Sequence, residues 1–257
     1  MRCAYPHCFN LVQSAKALGG FSGTLTALTF TAVIFLTGRE PGQHPGVEKT
    51  LVVFLGAFAS MVVATYLYSG ATSEEIAGGR AAVEAFVASL AFSCALLQLF
   101  LGIAQLMADR DFGGVVMFAR RLADWVVGIL IFGFMGSTAV SAAGLFEKES
   151  TAWNSLLGVG CVVMFVLLLG WVLCGPHAGK TREPSRGPTA IEAWAAFNIA
   201  IVVVAAALTL AWGERGSHAS LPEWAYLGMM ALLFLSVLRY SMLLKGLGAP
   251  RRDSALA

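Results

Sequence analysis

Apolar residues in this chain gather into long charge-free runs, at 17–38, 50–73, 85–108, 125–146, 150–179, 193–213 and 224–238. A helix needs roughly 20 apolar residues to cross about 30 Å of hydrocarbon at about 1.5 Å per residue. The pattern therefore predicts an all-α fold, a polytopic integral membrane bundle of seven transmembrane helices near 17–38, 50–73, 82–108, 122–146, 150–175, 190–213 and 222–244. Six runs are comfortably long. The seventh, "WAYLGMMALLFLSVL", reaches only 15 residues before Arg239, so that arginine must snorkel or be paired within the bundle. The first run is too long and too threonine-rich for a secretory signal, lacks an A-x-A-like cleavage site and is followed by six more, so it counts as a helix.

Composition agrees, with 58% of the 257 residues hydrophobic and 12% charged, against about 45–50% and about 25% in an ordinary soluble domain. A water-soluble fold of this length could not cover its surface with so few charges. The formal charge of +2, carried by scattered basic residues, leaves no footprint for nucleic acid. Their distribution does set an orientation. Arg39, Lys49, Arg110, Arg120, Arg121, Lys180, Arg182, Arg186, Arg239, Lys245, Arg251 and Arg252 fall on one side of seven spans, and Arg2, Lys16, Arg80, Lys148 and Arg215 on the other. The positive-inside rule then puts the N-terminus outside and the C-terminus in the cytoplasm. The alanine, glycine, valine and leucine bias and the compact loops point to a bacterial inner (cell) membrane, although composition is compatible with other bilayers.

No polar stretch is long enough for a soluble domain, so residues 1–257 read as a single transmembrane domain. The longest, "GREPGQHPGVEK" and "GPHAGKTREPSRGP", are Gly- and Pro-rich loops, the second a basic anchor beside the cytoplasmic surface. The turns "GLFEKESTAW" and "AWGERGSHASLPEW" resemble each other, but the likeness ends at the turn and an odd span count fits a two-fold repeat poorly. No metal or cofactor is expected. Cys3, His7 and Cys8 fall short of the four ligands of a structural zinc site, and the four histidines lie in loops or tails, away from where a haem or copper centre would need them. Whether Cys3 and Cys8 pair stays open. "GFSG" at 20–23 matches the rhomboid nucleophile motif in letters only, no span holds a histidine base, and no lysine lies within the seventh span to hold a retinal.

Polar residues inside the spans are the better clue, because an ionisable group at the bilayer centre costs at least about 2.5–3.5 kcal/mol. In the third span a seven-residue step runs Glu84, Ala91, Gln98, Gln105, with Ala88, Ala95 and Gly102 completing the helical spacing. One face is polar or small from end to end, and the other holds Phe86, Leu90, Leu97 and Leu101. The 21 residues from Glu84 to Gln105 cover roughly 32 Å, the depth of the membrane. Two readings stand open: a helix lining a polar pathway, or a close-packing seam whose glutamines hydrogen-bond across helices. On the outer side Arg80 is one turn before Glu84, and Tyr66 and Tyr68 lie close enough to make a cluster with Glu74 and Glu75. On the cytoplasmic side Asp124 follows Arg120 and Arg121, Glu192 opens the sixth span, and Arg239 is expected to face Asp124 or Glu192. Asn198, deeper in the sixth span, needs a partner.

Gly133, Ser137, Ser141 and Gly144 form a small-residue face on the fourth span that admits a close neighbour, within the monomer, in a homo-oligomer or from a membrane partner. Three functions are compatible with these features in an otherwise lipid-bound protein. The first is a transporter, channel-like protein or transport accessory for a small solute or ion, using Tyr66, Tyr68, Arg80, Glu84, Gln98, Gln105, Asp124, Glu192, Asn198 and Arg239 as binding or pathway residues. The second is a membrane enzyme acting on a lipid or isoprenoid, terpene-cyclase-like in its proton-donor chemistry, with Glu84 as the acid. The third is a signalling, immunity or assembly partner.

Overall fold

The computed structural model describes residues 11–38, 47–73, 79–108, 131–136, 138, 159–168, 170, 189–213 and 222–246. These are almost entirely helical, without a strand among them. Five helices are long and apolar enough to cross a membrane. They are α1 (Leu11–Thr37), α2 (Val47–Ser73), α3 (Gly79–Ala108), α4 (Thr189–Gly213) and α5 (Glu223–Gly246). Residues 131–136 and the apolar segment Val159–Leu168 are also helical, but most of the ranges 122–146 and 150–175 lies outside the described residues.

One boundary differs from the sequence expectation by more than three residues. α1 begins at Leu11, six residues before the predicted start at 17, and so takes in Lys16. Lys16 is exposed, and a long cationic stem costs a helix end little when its head can reach out. α5 runs through Arg239 to Gly246, close to the expected span of 222–244. Arg239 is exposed, so the charge sits on the outside of a helix whose backbone bonds are unaffected by it.

α3 is the centre of the bundle, with every residue from 81 to 95 buried, on both its polar and its apolar face. α2 packs antiparallel along one side: Gly70 meets Glu84, Gly56 meets Gln98, and Phe54 meets Gly102. α1 packs along α2, with Gly19 against Tyr68, Gly23 against Thr65 and Phe30 against Phe58 at 5.5 Å, and also reaches α3 through Phe21–Phe92 at 5.9 Å. α4 and α5 are antiparallel to each other, joined at Trp194–Tyr240 and Asn198–Ser236. They close on α3 through Gln98–Ala195 and Phe86–Tyr226. Segments 131–136 and 159–168 meet at Gly136–Cys161 and touch α5 through Phe132–Phe234 and Gly160–Leu227.

Two features suit this bundle to an apolar surrounding. Thr24, Thr26, Thr29 and Thr31 of α1 each donate a hydroxyl to the carbonyl four residues back, so a threonine-rich helix presents no unmet donor from these side chains. The outward faces are greasy: Leu28 and Phe35 on α1, Val204 and Leu210 on α4, and Leu235 and Met242 on α5 are all exposed. Such a surface would aggregate in water and is neutral in lipid.

Candidate polar seam

The stripe on α3 turns out to be its contact with α2, and the contact is made possible by glycine. Glu84 is only 6% exposed, and a Cβ added to Gly70 would lie 2.7 Å from its Oε2. Gln98 is fully buried, and a Cβ at Gly56 would lie 2.9 Å from its Oε1. The third glycine works in the opposite direction. A Cβ on Gly102 of α3 would lie 2.7 Å from the Phe54 ring of α2. At these three levels the seam is closed, with α3's polar groups seated where α2 has no side chain.

Not every polar atom in the seam is satisfied. Glu84 Oε1 accepts a bond from Arg80 Nε at 2.8 Å, one helical turn back at a half-exposed position. Its Oε2 is buried without a hydrogen-bond partner. Gln98 Nε2 donates to the Ala195 carbonyl at 3.2 Å, leaving Gln98 Oε1 buried and unpartnered. Gln105 Oε1 of α3 and Ser60 Oγ of α2 are in the same condition, as are three hydroxyls outside the seam, Ser93 on the opposite side of α3 and Tyr226 and Ser241 on α5. Ser60 lies one turn from Gly56 on the same face of α2, so it too faces α3. A buried acceptor left without a bond costs roughly 1–3 kcal/mol, and in hydrocarbon no bulk water offsets it.

The neighbouring junction of α4 and α5 is different. Asn198 Nδ2 donates to the Trp194 carbonyl at 2.9 Å, Ser236 Oγ donates to Asn198 Oδ1 at 2.6 Å, and Trp194 Nε1 donates to the Ser236 carbonyl at 3.2 Å. The partner that Asn198 requires is thus Ser236. At the other end of α3, Ser89 donates to the Ala85 carbonyl, so the 2.9 Å contact with Tyr68 has the phenol as donor. On α1, Ser22 Oγ accepts from Thr65 at 3.0 Å and fastens α1 to α2.

The structure brings some of the sequence candidates together and parts others. Arg80, Glu84, Gln98 and Gln105 lie along α3, and Asn198 joins Gln98's level through Ala195. Tyr66 and Tyr68 diverge, the first 67% exposed and the second buried on Ser89. Arg239 and Glu192 are both exposed. The residue that α5 turns inward there is Tyr240, stacked on Trp194 at 6.1 Å. Glu192 sits in the first turn of α4, where its charge complements the helix dipole. Asp124, Glu74, Glu75, Cys3, Cys8, Ser137, Ser141 and Gly144 lie outside the described residues, and Gly133 is exposed. Among the described residues no three His, Cys, Asp or Glu side chains come together as metal ligands.

Ser60, Ser93, Ser236, Trp194, Gly56 and Gly70 were not among the sequence candidates. One signal could have found the glycines: Gly56 and Gly70 are 14 residues apart, the same interval that separates Glu84 from Gln98. On two antiparallel helices equal intervals bring both pairs into register. No protein-family model, curated protein or solved structure matches the chain.

Proposed function

We propose that the chain is a seven-span membrane transport protein for a small solute or ion, with its N-terminus outside and its C-terminus in the cytoplasm. The supporting observation is the row of buried oxygens without partners, Glu84 Oε2, Gln98 Oε1 and Gln105 Oε1, on one face of the central helix, joined by Ser60 Oγ across the seam. Unmet acceptors in a lipid-surrounded core are costly, and cost of this kind is retained where a passing group meets it. The oxygens are spread over roughly 32 Å of helix, the thickness of the hydrocarbon, rather than gathered round one carboxyl. That spread favours passage over a single-site enzyme on a lipid or isoprenoid.

Because glycine contacts close the seam at three levels, transport on this reading requires α2 and α3 to part. The inner levels, at Gln98 and Gln105, open to one side and Glu84 to the other. The test is solute uptake into liposomes holding the purified full-length protein, comparing wild type with Gln98→Leu. Leucine keeps the volume and removes the acceptor, so uptake should fall by about tenfold, the equivalent of one lost hydrogen bond to the solute at about 1.4 kcal/mol. Uptake equal to wild type, by a variant that elutes as wild type does, removes Gln98 from the pathway.

A further inference from the structure

We infer that the transported solute is a small cation, such as an alkali ion or a protonated amine, recognised by acceptor oxygens on α3. The inference rests on the transport reading above and adds the chemistry of the solute to it.

Charge is the first argument. Among the described residues the one buried side chain able to carry a formal charge at neutral pH is a carboxylate, that of Glu84. Of the cationic side chains, Lys16 and Arg239 are exposed, Lys49 is half-buried in the first turn of α2, and Arg80, itself exposed, is paired with Glu84 Oε1 at 2.8 Å. Beyond the Glu84–Arg80 pair, an anion inside this bundle would meet no buried cation on those helices.

Hydrogen-bond polarity is the second. Glu84 Oε2, Gln98 Oε1 and Gln105 Oε1 are acceptors that cannot donate, and the unpartnered Ser60 hydroxyl accepts as readily as it donates. For Gln98 the orientation is not arbitrary. The Ala195 carbonyl can only accept, so it must face the amide nitrogen, which leaves the oxygen as the free end of an amide that lies over Gly56. Turning the amide over would set two oxygens against each other. Exchange of Gln98 for another packing residue would not preserve this acceptor, whereas a passing ammonium or alkali ion would satisfy it.

The third argument is spacing. From Glu84 to Gln98 is 14 residues and from Gln98 to Gln105 is seven, or roughly 21 Å and roughly 10 Å along the axis. Both are whole multiples of the seven-residue step, so the three acceptors share one face. Ser60 lies at a level between Glu84 and Gln98, whereas Ser93, nine residues past Glu84, is on the opposite side of α3. A cation leaving the carboxylate thus has further oxygens ahead of it, each uncharged and therefore weak enough to release it.

Liposomes reconstituted with the full-length chain provide the experiment, with uptake of rubidium, methylammonium, chloride and sulfate measured under equal gradients. Uptake of rubidium or methylammonium should exceed that of either anion, and Glu84→Gln should lower cation uptake by about tenfold. If Glu84→Gln does not accumulate as folded protein, Gln105→Leu takes its place, and cation uptake must again fall. Anion uptake as fast as cation uptake, or cation uptake unchanged in the folded variants, overturns the cation assignment while leaving transport standing. If none of the four ions nor any neutral solute moves, the transport reading fails and the cation assignment falls with it.

Discussion

Gln98 and Asn198 are both buried amides at one level of the bundle, and they are treated differently by their neighbours. Asn198 has both ends engaged, its nitrogen on the Trp194 carbonyl and its oxygen on Ser236. Gln98 is held by its nitrogen alone, and its oxygen is the free end of an amide that lies over the bare backbone of Gly56. The Trp194–Asn198–Ser236 group is a completed polar network, which fixes α4 against α5, although Tyr226 and Ser241 elsewhere on α5 carry buried hydroxyls without a partner. The α2–α3 seam is an incomplete one, and the incompleteness recurs at Glu84 and Gln105. A protein that used these groups only to hold helices together could have completed the second network as it completed the first.

Substitutions can break this contrast, and steric ones should have the largest effect. Gly102→Leu drives a side chain into the Phe54 ring, itself packed in a small cluster with Val33 and Leu36. Overpacking of this kind costs about 3 kcal/mol, the upper end of its usual range, and should appear as the largest loss of thermal stability in detergent. A wild-type melting profile would mean that α2 and α3 are not packed as described.

Asn198→Leu comes next. It removes the acceptor for Ser236 and the bond to Trp194, and interhelical hydrogen bonds in membranes are worth about 0.6 kcal/mol on average and up to about 1.7. Melting should fall by a measurable amount, while the transport rate per folded molecule should hold. Gln98→Leu is the sharpest counterpart. It loses one bond to Ala195 but also removes an orphaned acceptor, so the two terms offset and stability should stay within about 0.5 kcal/mol of wild type. If Gln98→Leu destabilises as much as Asn198→Leu, the two amides are equivalent and the contrast is lost. Ser22→Ala should do least, under about 0.5 kcal/mol, because Thr65 keeps its other bond to the Met61 carbonyl.

The helices were legible where a physical minimum length controls them. α2 and α4 begin within three residues of the predicted 50 and 190 and end at the predicted 73 and 213, since a charge-free run of membrane length has few other uses. The start of α1 failed where Lys16 was treated as a stop. Lys16, like Arg239 within the expected last span, is exposed on a continuing helix, because a long side chain moves its charge outward without ending the backbone ladder. Glu84, Gln98 and Gln105 were visible from their seven-residue step, yet their neighbour α2 was not. Ser60 looks like any small residue in a span, and only the matched interval of Gly56 and Gly70 hints at what it faces. Arg239, expected either to snorkel or to pair with Asp124 or Glu192, is exposed, and the helix phase turns Tyr240 inward beside it.

Whether the seam carries water-borne solute or is only a joint between helices can be read on α3 itself. Cysteine is introduced singly at Glu84, Gln98 and Gln105, and at Leu90, Leu97 and Leu101, in a chain with Cys94 and Cys161 replaced by alanine and the remaining cysteines by serine. Each variant, reconstituted in liposomes, is exposed to a small water-soluble thiol reagent. All six positions are buried in the structure, so burial alone predicts no difference among them. A seam that opens for transport predicts labelling at positions 84, 98 and 105 and protection at 90, 97 and 101. Equal protection at all six would show a permanently closed seam and contradict the account.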